Sequence, residues 1–192
     1  MSDTVPVREY WYVNQKRWLN RFIALFTWAP NPNTEPISHC EIEDEAGMMY
    51  TSTTRGKANG TVVRPAAGVL DHPENWYYTE HRVDKIAFRT AQAKASYRVA
   101  ANKGYSWRDL SRYVMPLWML KKTGIADNGR EICSEHVESW LVDMGILTER
   151  LLRSPRRLCK HTVLATGSPL RRLVDDSIVR DGQWTTISPA SR

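Results

Sequence analysis

The clearest hydrophobic periodicity runs from Glu131 to Gly145. Val137, Leu141 and Met144 recur three and four residues apart, and Trp140 widens the apolar stripe. Glu135, Glu138 and Asp143 fall off that stripe. The two glutamates sit near the N-terminal end, where carboxylates complement the helix dipole. Asp127-Asn128-Gly129 makes a turn before it, and Gly145 is placed to stop it. The pattern predicts a helix with Cys133 on its first turn.

Elsewhere the period is closer to two. Arg21–Trp28 is rich in strand formers and nearly continuous in apolarity, which predicts a buried strand broken by Pro30-Asn31-Pro32-Asn33. Pro36–Glu43 reads as a strand with His39 and Glu41 on one face, and Cys40 and Ile42 on the other. By that parity, a thiol served by His39 is not Cys40. Asp44–Gly47 turns the chain into a returning strand, Met48–Thr53. Thr61–Arg64 is a short strand closed by Pro65, and Trp76–Val83 is another.

Helical spacing returns with Phe88, Ala91, Ala95 and Val99 within Ile86–Lys103, ended by Gly104. Ser106 and Asp109 mark a second helix start, and Pro116 kinks or shortens that helix. Ser154-Pro155 opens a short helix over 155–165. Residues 1–20 are mixed and polar, and read as a short opening strand or a surface segment. Residues 175–192 read as a loosely attached polar tail. Strands come first and helices last. The expected class is α+β in one domain, 1–174, with its core in 20–165.

Composition adds limits. The chain has 192 residues and three cysteines, and no apolar run long enough to span a bilayer. No secretory signal is recognisable, and the odd, small cysteine count argues for free thiols in a reducing compartment. The expected location is therefore cytoplasmic: a host cytoplasm or a virion, if the source is a phage. The net charge of +6 is concentrated late. Arg150, Arg153, Arg156, Arg157, Lys160, Arg171 and Arg172 have no acid among them, which permits contact with a polyanion through residues 150–172.

Cys133 carries the most specific chemistry. A thiol at a helix N-terminus meets unpaired backbone N–H groups and the positive end of the dipole, and both favour the nucleophilic thiolate. Thiol catalysis also needs a histidine to move the proton and a polar group to fix the imidazole. His39 on a strand supplies the first requirement.

Ser38-His39-Cys40-Glu41-Ile42, Tyr50-Thr51-Ser52-Thr53, Gly60-Thr61-Val62-Val63-Arg64, Trp76, Gly104-Tyr105-Ser106-Trp107 and Ile132-Cys133-Ser134-Glu135 follow one another in order. This series, spanning about residues 20–145, resembles the circularly permuted papain-like superfamily. That group includes NlpC-type amidopeptidases, YiiX-like hydrolases and lecithin–retinol acyltransferase, and small phage-encoded members look closest. Histidine before cysteine is the mark of the permutation. The resemblance implies a sheet facing a helix, with Cys133 as nucleophile and His39 as base. Glu41, Ser52 and Thr53 are candidates for the third group, with Glu41 ahead because a carboxylate also stabilises an imidazolium. The oxyanion donor implied is the Cys133 N–H plus one unassigned group.

The expected function is a thiol hydrolase of amidase or peptidase type, with no cofactor and no metal. Its substrate is a peptide, amide or ester. Acyl transfer to an acceptor other than water, and a catalytically degenerate binding protein, are the alternatives. Two further classes compete. A zinc site would draw on Cys133/His136, Cys159/His161 and His39/Cys40, though those spacings suit zinc poorly. A basic binding module would use Arg153–Arg172 and exposed aromatics.

Overall fold

The computed structural model describes residues 3–14, 16, 20–21, 37–54, 58–102, 104–106, 130–151, 153–174, 178–180 and 183–185. The strand expected at Arg21–Trp28 and the helix expected after Ser106 lie almost wholly outside the described residues.

The described chain is α+β. Its strands are β1 Thr4–Tyr12, β2 His39–Glu43, β3 Met48–Thr53, β4 Gly60–Pro65, β5 Trp76–Asp84 and β6 Leu170–Arg172, with short β7 Ile178–Arg180 and β8 Gln183–Thr185. They form one sheet in the order β4-β3-β2-β1-β5-β6-β7-β8, with every pairing antiparallel. Three helices are described: α1 Lys85–Ala101, α2 Cys133–Asp143 and α3 Pro155–Thr166.

Of the two alternatives for residues 1–20 the structure has the strand, but it is not at the surface and it moves the start of the core. Thr4–Tyr12 is central, paired with β2 from Arg8↔Glu43 to Tyr12↔His39 and with β5 from Thr4↔Asp84 to Tyr12↔Trp76. Its alternation explains why. Val5, Val7 and Trp11 enter the main core, while Tyr10 joins Met49, Val69 and Trp76 in a smaller cluster on the opposite face. The core therefore begins well before residue 20. The presumed tail also departs from expectation, because β7 and β8 extend the sheet edge beyond β6.

The helices pack on the face that carries Trp11, Cys40, Ile42, Tyr50 and Tyr77. Asp84 caps α1 by accepting from the N–H groups of Ile86 and Ala87 at 2.9 and 3.1 Å. Phe88, Ala91 and Ala95 are its buried stripe. Helix α2 lies against β2 and β3, and Trp140 packs on Tyr50 and Phe88 at centroid distances of 5.1 and 6.0 Å. Fully burying each such side chain stabilises the fold by about 1.5–3 kcal/mol.

Helix α2 is buried on more faces than its apolar stripe implies. Glu135 and Glu138 are buried as well as the apolar positions. Their charges are matched locally. Glu135 accepts from the Ile132 N–H at 3.1 Å. Glu138 pairs with the Arg153 guanidinium and accepts the N–H groups of Leu151 and Arg153 at 3.1 and 3.3 Å. The basic segment thus spends part of its charge inside the molecule. Arg150 approaches Glu131 at 3.7 Å, Arg172 lies over the Tyr77 ring at 5.9 Å, and Arg156 is buried.

Candidate active site

Two short segments set the position of Cys133. Gly60, at φ +112°, lies so close to Gly104 that a Cβ on it would come within 2.8 Å of the Gly104 Cα. The chain after Gly104 is held by Asn59, whose Oδ1 accepts the Tyr105 N–H at 3.2 Å. Tyr105 then bridges in parallel to Glu131, and the Ser106 N–H reaches the Glu131 carbonyl at 3.4 Å. From the other side, the Ser52 hydroxyl donates to the same carbonyl at 2.5 Å. Glu131 precedes Cys133 by two residues. Gly60, Gly104 and Ser52 therefore fix where α2 begins.

The ladder between β2 and β3 is short and covers only Ile42↔Tyr50 and Glu43↔Met49. Beyond it the Cys40 carbonyl is bonded by a side chain, Thr51 Oγ1, at 3.0 Å. The α2 N-terminus meets the sheet at this interruption. There the Cys133 thiol neighbours the Cys40 thiol, the Cys40 backbone N–H and the His39 ring.

His39 is held from its own strand face. Its Nε2 lies 3.0 Å from Glu41 Oε1 and 3.4 Å from Thr51 Oγ1. Arg64 Nη2 donates to the same Glu41 oxygen at 2.6 Å. Glu41 is wholly buried, and burial alone would raise its pKa. The His39 hydrogen bond and charge, followed by Arg64, outweigh that and hold the carboxyl below its usual range. A hydrogen-bonded chain Arg64–Glu41–His39 results, with the His39 Nε2 occupied by the carboxylate.

The two neighbouring thiols are driven apart. A hydrogen bond with Cys40 lowers the Cys133 pKa most. Burial opposes it, and the charge and hydrogen bond of His39 and the Cys40 N–H add to the lowering, leaving Cys133 well below an ordinary thiol. Burial, then the bond to Cys133, pushes Cys40 well above. Cys159 is also raised, by burial and then by Glu9, against the lowering effect of Arg156.

Of the residues singled out from the sequence, Cys133, His39 and Glu41 come together. Ser52 does not orient the imidazole, because its hydroxyl is committed to Glu131. Thr53 lies opposite Gly60 on β3. The parity argument separates the two faces of β2 correctly but says nothing of how Cys133 approaches Cys40. Its side chain does face away from that of Glu41, but the short β2–β3 ladder lets Cys133 reach both Cys40 and His39.

Thr51 and Arg64 were missed. Register was the available signal: Ile42↔Tyr50 sets Thr51 opposite Glu41, and Met49↔Arg64 puts Arg64 on that face. Among the described residues, no three His, Cys, Asp or Glu side chains gather closely enough to hold a metal ion, and no helix is long and apolar enough to cross a membrane.

The chain matches no protein-family model, no curated protein and no solved structure.

Proposed function

We propose that this protein is a thiol-dependent hydrolase of amidase or peptidase type, built on a permuted papain-like fold. One observation carries the reading. A cysteine on the first turn of a buried helix neighbours a histidine whose Nε2 is bound by a buried, ionised carboxylate. Cys133 attacks the substrate carbonyl as thiolate. His39, with Nε2 occupied by Glu41, uses Nδ1 to hold the proton and return it to the leaving amine or alcohol. Glu41 fixes the ring and stabilises its charged form, and Arg64 keeps Glu41 ionised. The Cys133 N–H, on the first helical turn, donates to the developing oxyanion. Water then releases the acyl group from Cys133; another acceptor in its place makes the same site an acyltransferase.

The decisive experiment is labelling with a panel of thiol-directed electrophiles, including acyl donors, at neutral pH and mapping the modified residue. Expected is a covalent adduct on Cys133 ahead of Cys40 and Cys159, and a thioester with an acyl donor. Preferential labelling of Cys40 or Cys159 removes the reading.

A second reading rests on the closure of the site. His39 exposes 5% of its surface and Cys133 2%. A catalytically degenerate protein that keeps the dyad as core polarity accounts for that closure. It predicts no thioester with any acyl donor, while small alkylating agents still reach Cys133.

A further inference from the structure

We propose that Ser168 is a second, serine-based acyl acceptor, activated by His81 and Glu9 and open to small esters. The proposal does not rest on the Cys133 reading and shares no residue with it. It stands on three side chains from distant parts of the chain that meet end to end. Ser168 Oγ lies 3.2 Å from His81 Nδ1. The other ring nitrogen, Nε2, lies 3.4 Å from Glu9 Oε1. The second Glu9 oxygen accepts the Thr79 hydroxyl at 3.3 Å.

The fold explains how they meet. Glu9 and Thr79 are cross-strand partners in the β1–β5 ladder. His81 sits two residues beyond Thr79, on the face that Val5, Val7 and Val83 turn to the main core. Ser168 comes from the link between α3 and β6. Gly167 ends α3 in the left-handed region, and the Ser168 N–H donates to Thr166 Oγ1 at 3.1 Å. Burial increases along the series, since Ser168 is half-buried, His81 is buried and Glu9 is fully buried. The hydroxyl is therefore the reachable end and the carboxylate the deepest, as in a serine–histidine–carboxylate triad.

A purely structural role leaves one feature without a reason. The contact between His81 Nε2 and Glu9 Oε1 is out of line for a hydrogen bond, so both atoms are buried without one. Such unpaired atoms cost about 1–3 kcal/mol each. The arrangement becomes useful when the ring takes a second proton. Neutral His81 carries its proton on Nε2 and accepts the Ser168 hydroxyl at Nδ1. As Ser168 Oγ attacks an ester carbonyl, its proton moves to Nδ1, and the imidazolium then faces the Glu9 carboxylate. Catalytic contacts of this kind are often loose in the free protein and tighten with the reacting molecule. The carbon–oxygen bond of the ester breaks, the leaving alkoxide takes the proton from Nδ1, and acyl-Ser168 and an alcohol remain. Water, deprotonated by the same nitrogen, then releases a carboxylic acid and restores the serine.

The test treats the full-length folded protein at neutral pH with a fluorophosphonate or with p-nitrophenyl acetate, and maps the modified residue. Expected is a phosphonyl or acetyl group on Ser168, formed about 10²–10⁴-fold faster than in the urea-unfolded chain, the usual contribution of a general base. His81→Gln should bring the rate down to that of the unfolded chain. Glu9→Gln should slow it and Glu9→Asp restore part of it, each variant checked for fold by circular dichroism. Modification of another serine ahead of Ser168, a Ser168 rate no faster than in the unfolded chain, or an undiminished rate in folded His81→Gln overturns the proposal. The wild-type comparison decides the matter even if the variants do not fold. An adduct on Cys133 alone would leave the thiol reading standing and remove this one.

Discussion

The hydroxyl of Ser52 donates to the carbonyl of Glu131 at 2.5 Å. This bond ties β3 to the residue two places before Cys133. It gives Ser52 a positional role rather than a role at the imidazole. Ser52→Ala should destabilise the fold by about 1 kcal/mol and leave the pH dependence of Cys133 alkylation in place. A pH–rate profile with iodoacetamide checks this. A rise in the apparent thiol pKa of Ser52→Ala would return Ser52 to the catalytic group.

His39→Ala tests the dyad itself. Without the imidazole, the Cys133 pKa should move up, part of the way toward the free-thiol value of about 8.5, since Cys40 and the helix N-terminus still hold it down. Alkylation near pH 6 should slow strongly, and alkylation at strongly alkaline pH should change little. An unchanged profile in a folded variant would falsify the thiolate–imidazolium pair.

Acid should weaken the fold through Glu41. Its carboxyl titrates lower in the folded chain than the ordinary value of about 4.3. The unfolded chain therefore binds the proton first as pH falls. The stabilisation from Glu41 is complete above about pH 4.3 and is lost as pH drops through the folded value. Glu131 is lowered in the same sense: burial raises it, but the His136 hydrogen bond and charge outweigh that. Glu41→Gln should flatten part of the acid limb in chemical denaturation at stepped pH. An identical limb in wild type and variant would remove Glu41 from the acid response.

Arg64→Met isolates the outer end of the chain. Removing one partner of a fully buried pair costs about 3–5 kcal/mol. The Arg64 side chain is 29% exposed, so a loss of about 2 kcal/mol is expected, read by urea denaturation. The alkylation profile of Cys133 should shift upward, by less than in His39→Ala, because Arg64 acts only through Glu41. A shift as large as that of His39→Ala would mean that Arg64 reaches the thiol more directly.

Local pattern was enough to read the α2 helix, the β2–β3 hairpin, β5, α1 and α3, since each repeats at its own period over enough residues. Cys133, His39 and Glu41 were legible for the same reason: one helix start and one alternating strand carry all three. The centrality of β1 was not legible. Its polar positions, Glu9 among them, read as surface. Their partners, Thr79 at 3.3 Å from Glu9 and His81 at 3.4 Å, lie some seventy residues away. Cys40 keeps the parity read from the sequence; its nearness to Cys133 was not legible, because it depends on how α2 docks on β2. Glu138 stood off the apolar stripe, and its burial depends on Arg153, which only the turn after α2 brings back.

The place of Thr4–Tyr12 between β2 and β5 also bears on how the chain acquires its structure. This strand leaves the ribosome before either neighbour, and Thr4 must wait for Asp84 to complete its ladder. At roughly 5–20 residues per second, that wait lasts on the order of 4–16 s. Val5 and Val7 pair only with β5, so a nascent chain holding them unpaired for that time offers an apolar strand end to any edge nearby. The barrier to folding then lies in closing the long β1–β5 loop rather than in forming the helices. Slower translation between β1 and β5 would lengthen the exposure, and a chaperone that masks the first strand would shorten it.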